Sequence, residues 1–329
     1  MIKVAQFGLG PIGVECLRLA AEKSWIEVVG GIDIDPTKQS KSLGEVAGLA
    51  KLSGAKIYPS VDALAQDAQA DVVLHTACSK AELSIEQIEP VVRQGASVVS
   101  SCEELLFPRL RAPEAAARID ELCRKTGARV LGTGVNPGFS MDVLPVCLTG
   151  VSRTVDSIYA ERVVNASTRR MPLQKKIGSG LDAAEFRSLF RQGKAGHAGF
   201  QESLALIAHA LGWEMPEIAE ICEPVIADHD IQTKYFTVPK GRTCGLHQRV
   251  EGKLDGRVRI TLDLKMYLDA KDPHDLVKIT GDPPLEVLAK GGIAGDQATV
   301  AAVVNAIPRV LAAPPGLLLM TDIGVPAYR

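Results

Sequence analysis

The stretch Ile2-Lys3-Val4-Ala5-Gln6-Phe7-Gly8-Leu9-Gly10-Pro11-Ile12-Gly13-Val14-Glu15-Cys16-Leu17-Arg18-Leu19-Ala20-Ala21 decides the fold. A short apolar run leads into G-x-G-x-x-G, and the last glycine opens a helical pattern. In that context Gly8 and Gly10 allow a tight turn and close backbone approach to a pyrophosphate, and Gly13 lets the helix pack on the strand. Pro11 and Ile12 complete the loop, and the helix N-terminus faces the anion. A second apolar run, Val28-Val29-Gly30-Gly31-Ile32, ends at Asp33. That is about 20 residues past the loop, where a carboxylate accepts bonds from an adenosine ribose. The bland alternative is a glycine-rich turn without a ligand. Strand, loop and acid in this order favour a dinucleotide.

Outward from the loop, residues 1–136 alternate apolar runs with helical stretches. The runs recur at 26–32, 71–76, 96–100 and 129–131, and helical patterns cover 82–93 and 113–125. Pro113 suits a first turn and Gly127 a stop. Such alternation predicts a doubly wound parallel sheet, with ligands at the carboxyl ends of its strands. The glycine loop, Ala77-Cys78-Ser79, Ser101-Cys102-Glu103-Glu104 and Gly132-Thr133-Gly134-Val135-Asn136 then converge on one edge. Ala77, Cys78, Ser101 and Asn136 become cofactor contacts by that placement.

After residue 137 the pattern changes. Residues 157–164, 224–238 and 257–268 read as long strands, interrupted by helical segments at 183–192 and 200–211. Val258-Arg259-Ile260-Thr261-Leu262-Asp263-Leu264 alternates as a half-solvated antiparallel strand does. The fold class is therefore α/β. A Rossmann domain spans 1–136. An α+β substrate and dimerisation domain with a largely antiparallel or mixed sheet spans 137–294. An alanine- and valine-rich helix near 295–311 returns, with the rest of 295–329, to the first domain.

Composition bounds the partners. A chain of 329 residues suits two domains at about 150 residues each. With 46% hydrophobic and 23% charged residues, a net charge of −2 and mean hydropathy +0.11, no global field favours nucleic acid or an anionic membrane. No apolar run reaches the roughly 18 residues of a membrane span. The first strand begins at once, so no signal peptide and a cytoplasmic location are expected. Cys16, Cys78, Cys102, Cys123, Cys147, Cys222 and Cys244 are scattered, with no C-x-x-C. Reduced thiols and no metal site are the expectation.

Two concentrations of polar residues could do chemistry. Glu103 and Glu104 follow Val98-Val99-Ser100-Ser101-Cys102 directly, at the mouth of the dinucleotide site. A carboxylate beside a nicotinamide can hold an ammonium and move its proton; alternatively, the pair opens a helix and complements its dipole. The second concentration runs from Glu161-Arg162 through Arg169-Arg170 to Gln174-Lys175-Lys176, ending in Ile177-Gly178-Ser179-Gly180. A glycine-serine helix start beside cations is an anion site by mechanism, although a cation run is often only a solvated face. His197, flanked by Gly196 and Gly199, is the best polar-site histidine. Asp228-His229-Asp230 reads as a turn, with alternation pointing His229 away from both neighbours.

Several stretches carry a more specific signal: Val99-Ser100-Ser101-Cys102-Glu103-Glu104-Leu105, Gly132-Thr133-Gly134-Val135-Asn136-Pro137-Gly138-Phe139, Glu161-Arg162-Val163-Val164-Asn165-Ala166-Ser167, Gly291-Gly292-Ile293-Ala294-Gly295-Asp296 and Val304-Asn305-Ala306-Ile307-Pro308. Together they resemble the 2,4-diaminopentanoate dehydrogenase and native amine dehydrogenase family over nearly the whole chain. The resemblance implies a fold like dihydrodipicolinate reductase. It also implies NAD(P)-dependent deamination of an amine to a ketone and ammonia, reversible as reductive amination. It places the key acid on Glu104, with Glu103 second. Asn136, Phe139 and Met141 would line the substrate pocket, faced by Arg162, Asn165, Gln174 and His197. The basic loop adds Arg169 and suggests a substrate that carries a carboxylate. Asp33, with no arginine after it, favours NAD over NADP, softened by Lys38 and Lys41. A homodimer is expected. The alternative is a reductase of a cyclic imine or enoyl acid. The reductase's own double histidine and Lys-x-Asp-x-Pro-Ser-Gly-Thr signature are absent from this sequence, and Lys176-Ile177-Gly178-Ser179-Gly180 echoes the latter only faintly.

Overall fold

A computed structural model describes residues 1–214 and 217–328. Two compact units divide the chain: Met1–Phe139 together with everything from Ala294 onward, and Ser140–Ile293.

The first unit opens with β1 (Ile2–Phe7), α1 (Pro11–Glu22), β2 (Ile26–Ile32), the short α2 (Pro36–Gln39) and α3 (Leu43–Ala47), and β3 (Ile57–Tyr58). It continues through α4 (Val61–Asp67), β4 (Val72–His75), α5 (Ala81–Arg93), β5 (Ser97–Ser100), α6 (Pro113–Thr126) and β6 (Arg129–Gly132). Local chemistry sets the boundaries. Pro11 and Pro113 sit in first turns, and Gly127 closes α6 at φ 79, a left-handed conformation that costs glycine little. Strands covered on both faces are continuous apolar runs, and all four residues of β4 and of β5 are buried.

The second unit holds α7 (Val143–Thr149), β7 (Thr154–Asn165), α8 (Met171–Lys176), α9 (Ala183–Arg191) and α10 (Phe200–Ala210). Strands β8 (Glu217–Ile226), β9 (Ile231–Gln232), β10 (Thr237–Val238), β11 (Thr243–Leu254), β12 (Arg257–Tyr267), β13 (His274–Asp282) and β14 (Leu285–Lys290) follow. Six of them form a mixed sheet in the order β14-β13-β7-β12-β11-β8. Among the described residues, only β7 and β12 pair in parallel within it. The stretch 224–238 is not one strand. The turn after β8 includes Asp230, whose carboxylate accepts the Lys240 amide at 2.8 Å, and Thr233 Oγ1 accepts the amides of Tyr235 and Phe236. These local bonds fold the segment into a hairpin instead of an extended run. Phe186, Phe200, Leu204 and Ile207 pack with Leu246 and Leu262 in one core, each worth about 1.5–3 kcal/mol when fully buried.

The chain then rejoins the first unit as α11 (Gly295–Ala312) and β15 (Gly316–Leu318). β15 pairs in parallel with β6, completing a seven-stranded sheet ordered β15-β6-β5-β4-β1-β2-β3. Every pair in it is parallel. Strand order reverses between β1 and β4, and crevices at such a switch point are where open α/β sheets bind ligands.

Candidate active site

The glycine loop follows β1 at that switch point. Gly8 has φ +85, and a Cβ on Gly13 would lie 1.9 Å from the Gly8 carbonyl oxygen. Neither position accepts a side chain. A Cβ on Gly10 would instead meet nothing within 4 Å, so the loop has room on the side where a pyrophosphate would approach. Gly10 is also the N-cap of α1 and supplies no side-chain bond. The amides of that first turn are therefore left for an anion. Gln6 Nε2 and Thr76 Oγ1 both donate to the Gly8 carbonyl, at 3.1 and 3.0 Å, and brace the turn. Ala77 lies against Gly8, and Cys78 Sγ accepts the Lys80 amide. These residues fit a dinucleotide.

Asp33 directly follows β2 with its carboxylate turned inward, 8% exposed. Oδ2 accepts the Leu9 amide of the glycine loop at 2.7 Å and Lys38 Nζ at 2.9 Å; Oδ1 accepts the Asp35 amide at 2.9 Å. Burial pulls its pKa up, but the Asp35 and Leu9 amides and the Lys38 ammonium outweigh that and hold it below its usual value. Asp33 thus ties the loop to the end of β2 and holds Lys38, the nearer of the two lysines expected to soften a preference for NAD, against its carboxylate.

The acid pair opens a short 3₁₀ turn, Glu103–Leu106, after β5. Glu103 is half-buried. Glu104 reaches across to the start of α5, where Oε2 accepts the Ala81 amide at 2.9 Å and Oε1 accepts Lys80 Nζ at 2.8 Å. It complements a helix N-terminus, that of the neighbouring α5 rather than of its own turn. Each oxygen keeps a further lone pair for a substrate. Ser101 is fixed through its amide to the His75 carbonyl at 2.9 Å. Asn136 precedes Pro137 across a cis bond, and Phe139 is 42% exposed.

Several residues read as substrate-facing are committed inside the second unit. Arg162 is buried. Its guanidinium binds Asp275, donates to Ser140 Oγ at 3.3 Å and to the Ile293 carbonyl at 2.5 Å. Gln174 is fully buried, donating to the carbonyls of Ser167 and Arg169 and accepting from Thr233 Oγ1. Asn165 bonds the Ala270 carbonyl and the Ser167 amide. Met141 sits in the apolar core. Nor is Gly178-Ser179-Gly180 an open cradle: their amides donate to Lys175, Gln174 and Thr243. What remains of the basic segment on the surface is Lys175 and Lys176, beside half-buried Arg169 and Arg170. His197 is held by Gln248 through its backbone, its ring edge-on to Phe200 at 5.5 Å. His229 Nδ1 donates to the Asp228 carboxylate and Nε2 lies 3.3 Å from Asp269, so it does not point away from its neighbours.

One polar cluster was not read from the sequence. On the sheet face opposite the apolar core, Glu161 Oε2 accepts from Tyr159 and Lys265, and Oε1 pairs with His274 Nε2 at 2.9 Å. Asp263 bonds Tyr159 and His247. Burial raises the Glu161 pKa, but bonds from Lys265, His274 and Tyr159 prevail and hold it at about 2. Its contribution to stability is present at neutral pH and is lost as pH falls from the ordinary glutamate range to about 2.

The family model for the 2,4-diaminopentanoate dehydrogenase C-terminal domain matches residues 139–328. The 2,4-diaminopentanoate dehydrogenase of Acetoanaerobium sticklandii is 31% identical, over 99% of this chain and 94% of that protein. An amine dehydrogenase of Streptomyces virginiae is 25% identical, over 98% and 96%. Among solved structures, the amine dehydrogenase from Mycobacterium smegmatis superposes with a TM-score of 0.87 at 22% identity, covering 100% of this chain and 97% of that one. Sequence and fold agree from end to end, and the chain belongs to the 2,4-diaminopentanoate dehydrogenase family of oxidoreductases.

Proposed function

We propose that this chain is an NAD(P)-dependent amine dehydrogenase that deaminates a carboxylate-bearing amine, such as a 2,4-diamino acid, to a ketone and ammonia. The observation that carries the reading is a carboxylate, Glu104, held at the carboxyl edge of a dinucleotide-binding sheet. A bound nicotinamide supplies the hydride acceptor. The chain supplies charge and proton transfer. Glu104 pairs with the substrate ammonium and takes its proton as hydride leaves the adjacent carbon, giving an iminium. Glu104 gives that proton up to solvent, takes another from the water that adds to the same carbon, and returns it to the nitrogen, so that the adduct collapses to ketone and ammonia.

A panel of amines, amino acids and diamino acids, followed by cofactor absorbance, tests this. The expected result is cofactor reduction with an amine and ammonia-dependent oxidation in reverse. Turnover of a cyclic imine without ammonia would replace the reading with the reductase alternative. A homodimer in the cytoplasm completes the proposal. The location is supported by the scattered cysteines, and light scattering on the purified chain checks the dimer.

Two expected outcomes follow from the binding residues. Asp33→Ala raises the NADP to NAD ratio of kcat/KM by about tenfold, because the carboxylate that repels a 2′-phosphate is gone while Lys38 stays. An unchanged ratio removes Asp33 as the discriminator. In the basic loop, Arg169→Ala, Arg170→Ala or Lys175→Ala weakens substrate binding by about one to two decades, the worth of a charged hydrogen bond. Cofactor KM stays put. Three silent variants make the loop a solvated face.

A further inference from the structure

We infer that His75, with Ser100 and Gln87, is a positioning circuit for the acid turn, fixing where Glu104 presents its carboxylate. The inference rests on the role proposed for Glu104. His75 is the last residue of β4 and is fully buried, as is Ser100, the last residue of β5. His75 Nε2 lies 2.9 Å from Gln87 Oε1 on α5, and Nδ1 lies 2.8 Å from Ser100 Oγ. The amide oxygen of Gln87 only accepts, so Nε2 carries the ring proton and Nδ1 accepts from the serine hydroxyl. Ser100 Oγ in turn accepts the Cys102 amide at 3.1 Å. The bond from Ser100 demands an unprotonated Nδ1, and so the neutral ring. Burial supplies that condition by pushing the His75 pKa down to about 4, against the Gln87 bond.

The circuit closes on itself. From His75 one arm runs through Gln87 to α5, and the N-terminus of α5 holds the Glu104 carboxylate through the Ala81 amide. The other arm runs through Ser100 to Cys102, the residue before the Glu103–Leu106 turn. The His75 carbonyl adds the Ser101 amide at 2.9 Å. The entry to the acid turn and the Glu104 carboxylate therefore both refer to one imidazole, whose own ring is set against Phe7 at 5.2 Å. His75 links the two elements between which the acid is strung. It is a positioning residue and touches no reacting atom.

The test is a double-mutant cycle on the full chain. Ser100→Ala removes the hydroxyl between the ring and the Cys102 amide, and His75→Phe removes both ring bonds at similar volume. Each should lower kcat by tenfold or more, since an ångström of misplacement costs about 10²-fold, with cofactor KM unchanged. Ser100→Thr, which keeps the hydroxyl, should stay within about threefold of the parent. In a Glu104→Gln background, Ser100→Ala should lower kcat by less than twofold further, because the group it positions is gone. A full additional loss in that background overturns the circuit, as does normal kcat in Ser100→Ala. If His75→Phe fails to fold, the serine pair decides alone. Normal turnover in Glu104→Gln by itself sinks both the acid assignment and the circuit, whereas slow Glu104→Gln with additive Ser100→Ala sinks only the circuit.

Discussion

Glu104→Gln is expected to lower turnover by about 10²–10⁴-fold, the usual contribution of a general acid–base group. The amide keeps the shape and one acceptor oxygen, so α5 retains a partner at its N-terminus. It loses the charge that pairs with an ammonium and the basicity that takes its proton. Fold and cofactor KM should be retained, since the glycine loop and Asp33 make their bonds elsewhere. Glu103→Gln should cost much less, because adjacent residues of the turn send their side chains in different directions. Steady-state kinetics on both variants decides the matter. Near-normal turnover in Glu104→Gln, or a larger loss in Glu103→Gln, moves the role to the neighbour.

Arg162→Met should destabilise the second unit by about 3–5 kcal/mol, the cost of leaving a buried charge without its partner. Asp275 is 2% exposed, and its second oxygen accepts the Ile293 amide at 2.7 Å. Without the guanidinium, that carboxylate stays in the interior with one amide for company, and Ser140 and Ile293 lose their donor. These two residues are where the chain enters and leaves the unit. Pairing Arg162→Met with Asp275→Leu should recover most of the loss, because two apolar side chains leave no buried charge. Denaturant unfolding of the single and double variants measures both; a single variant within 1 kcal/mol of the parent would show that water reaches the pair.

Local patterns made the first unit legible. Gly8, Gly10 and Gly13 act through turn geometry and close approach, which sequence spacing encodes directly, and Pro113 and Gly127 mark a helix from within its own ends. The edge strands β3 and β15 escaped because two or three residues carry no periodicity. The β13–β14 hairpin lies outside the expected strands, and the apolar content of 224–238 reads as one strand because it hides the turn bonds of Asp230 and Thr233. In the site, position on a strand's carboxyl end placed Asp33 and Glu104. Bond partners did not follow from it. Lys38 on Asp33 and Lys80 on Glu104 depend on loop paths. The Arg162–Asp275 pair joins residues 113 apart, and nothing local distinguishes such an arginine from one that faces a ligand. His75 had one available signal, a titratable residue closing the apolar run Val72-Val73-Leu74 at the ligand edge.

The return of α11 and β15 to the first unit gives biosynthesis an order of its own. Every residue of the second unit leaves the ribosome before the first unit's sheet has its last strand. At about 5–20 residues per second, the remaining stretch from Ala294 takes on the order of seconds to emerge. During that interval the open edge of β6 and the apolar surfaces of α1 and β5 that α11 covers lie bare. Such an edge invites pairing with another nascent chain. Premature termination near residue 294 is therefore a lesion of the nucleotide-binding unit, although its glycine loop was the first part made.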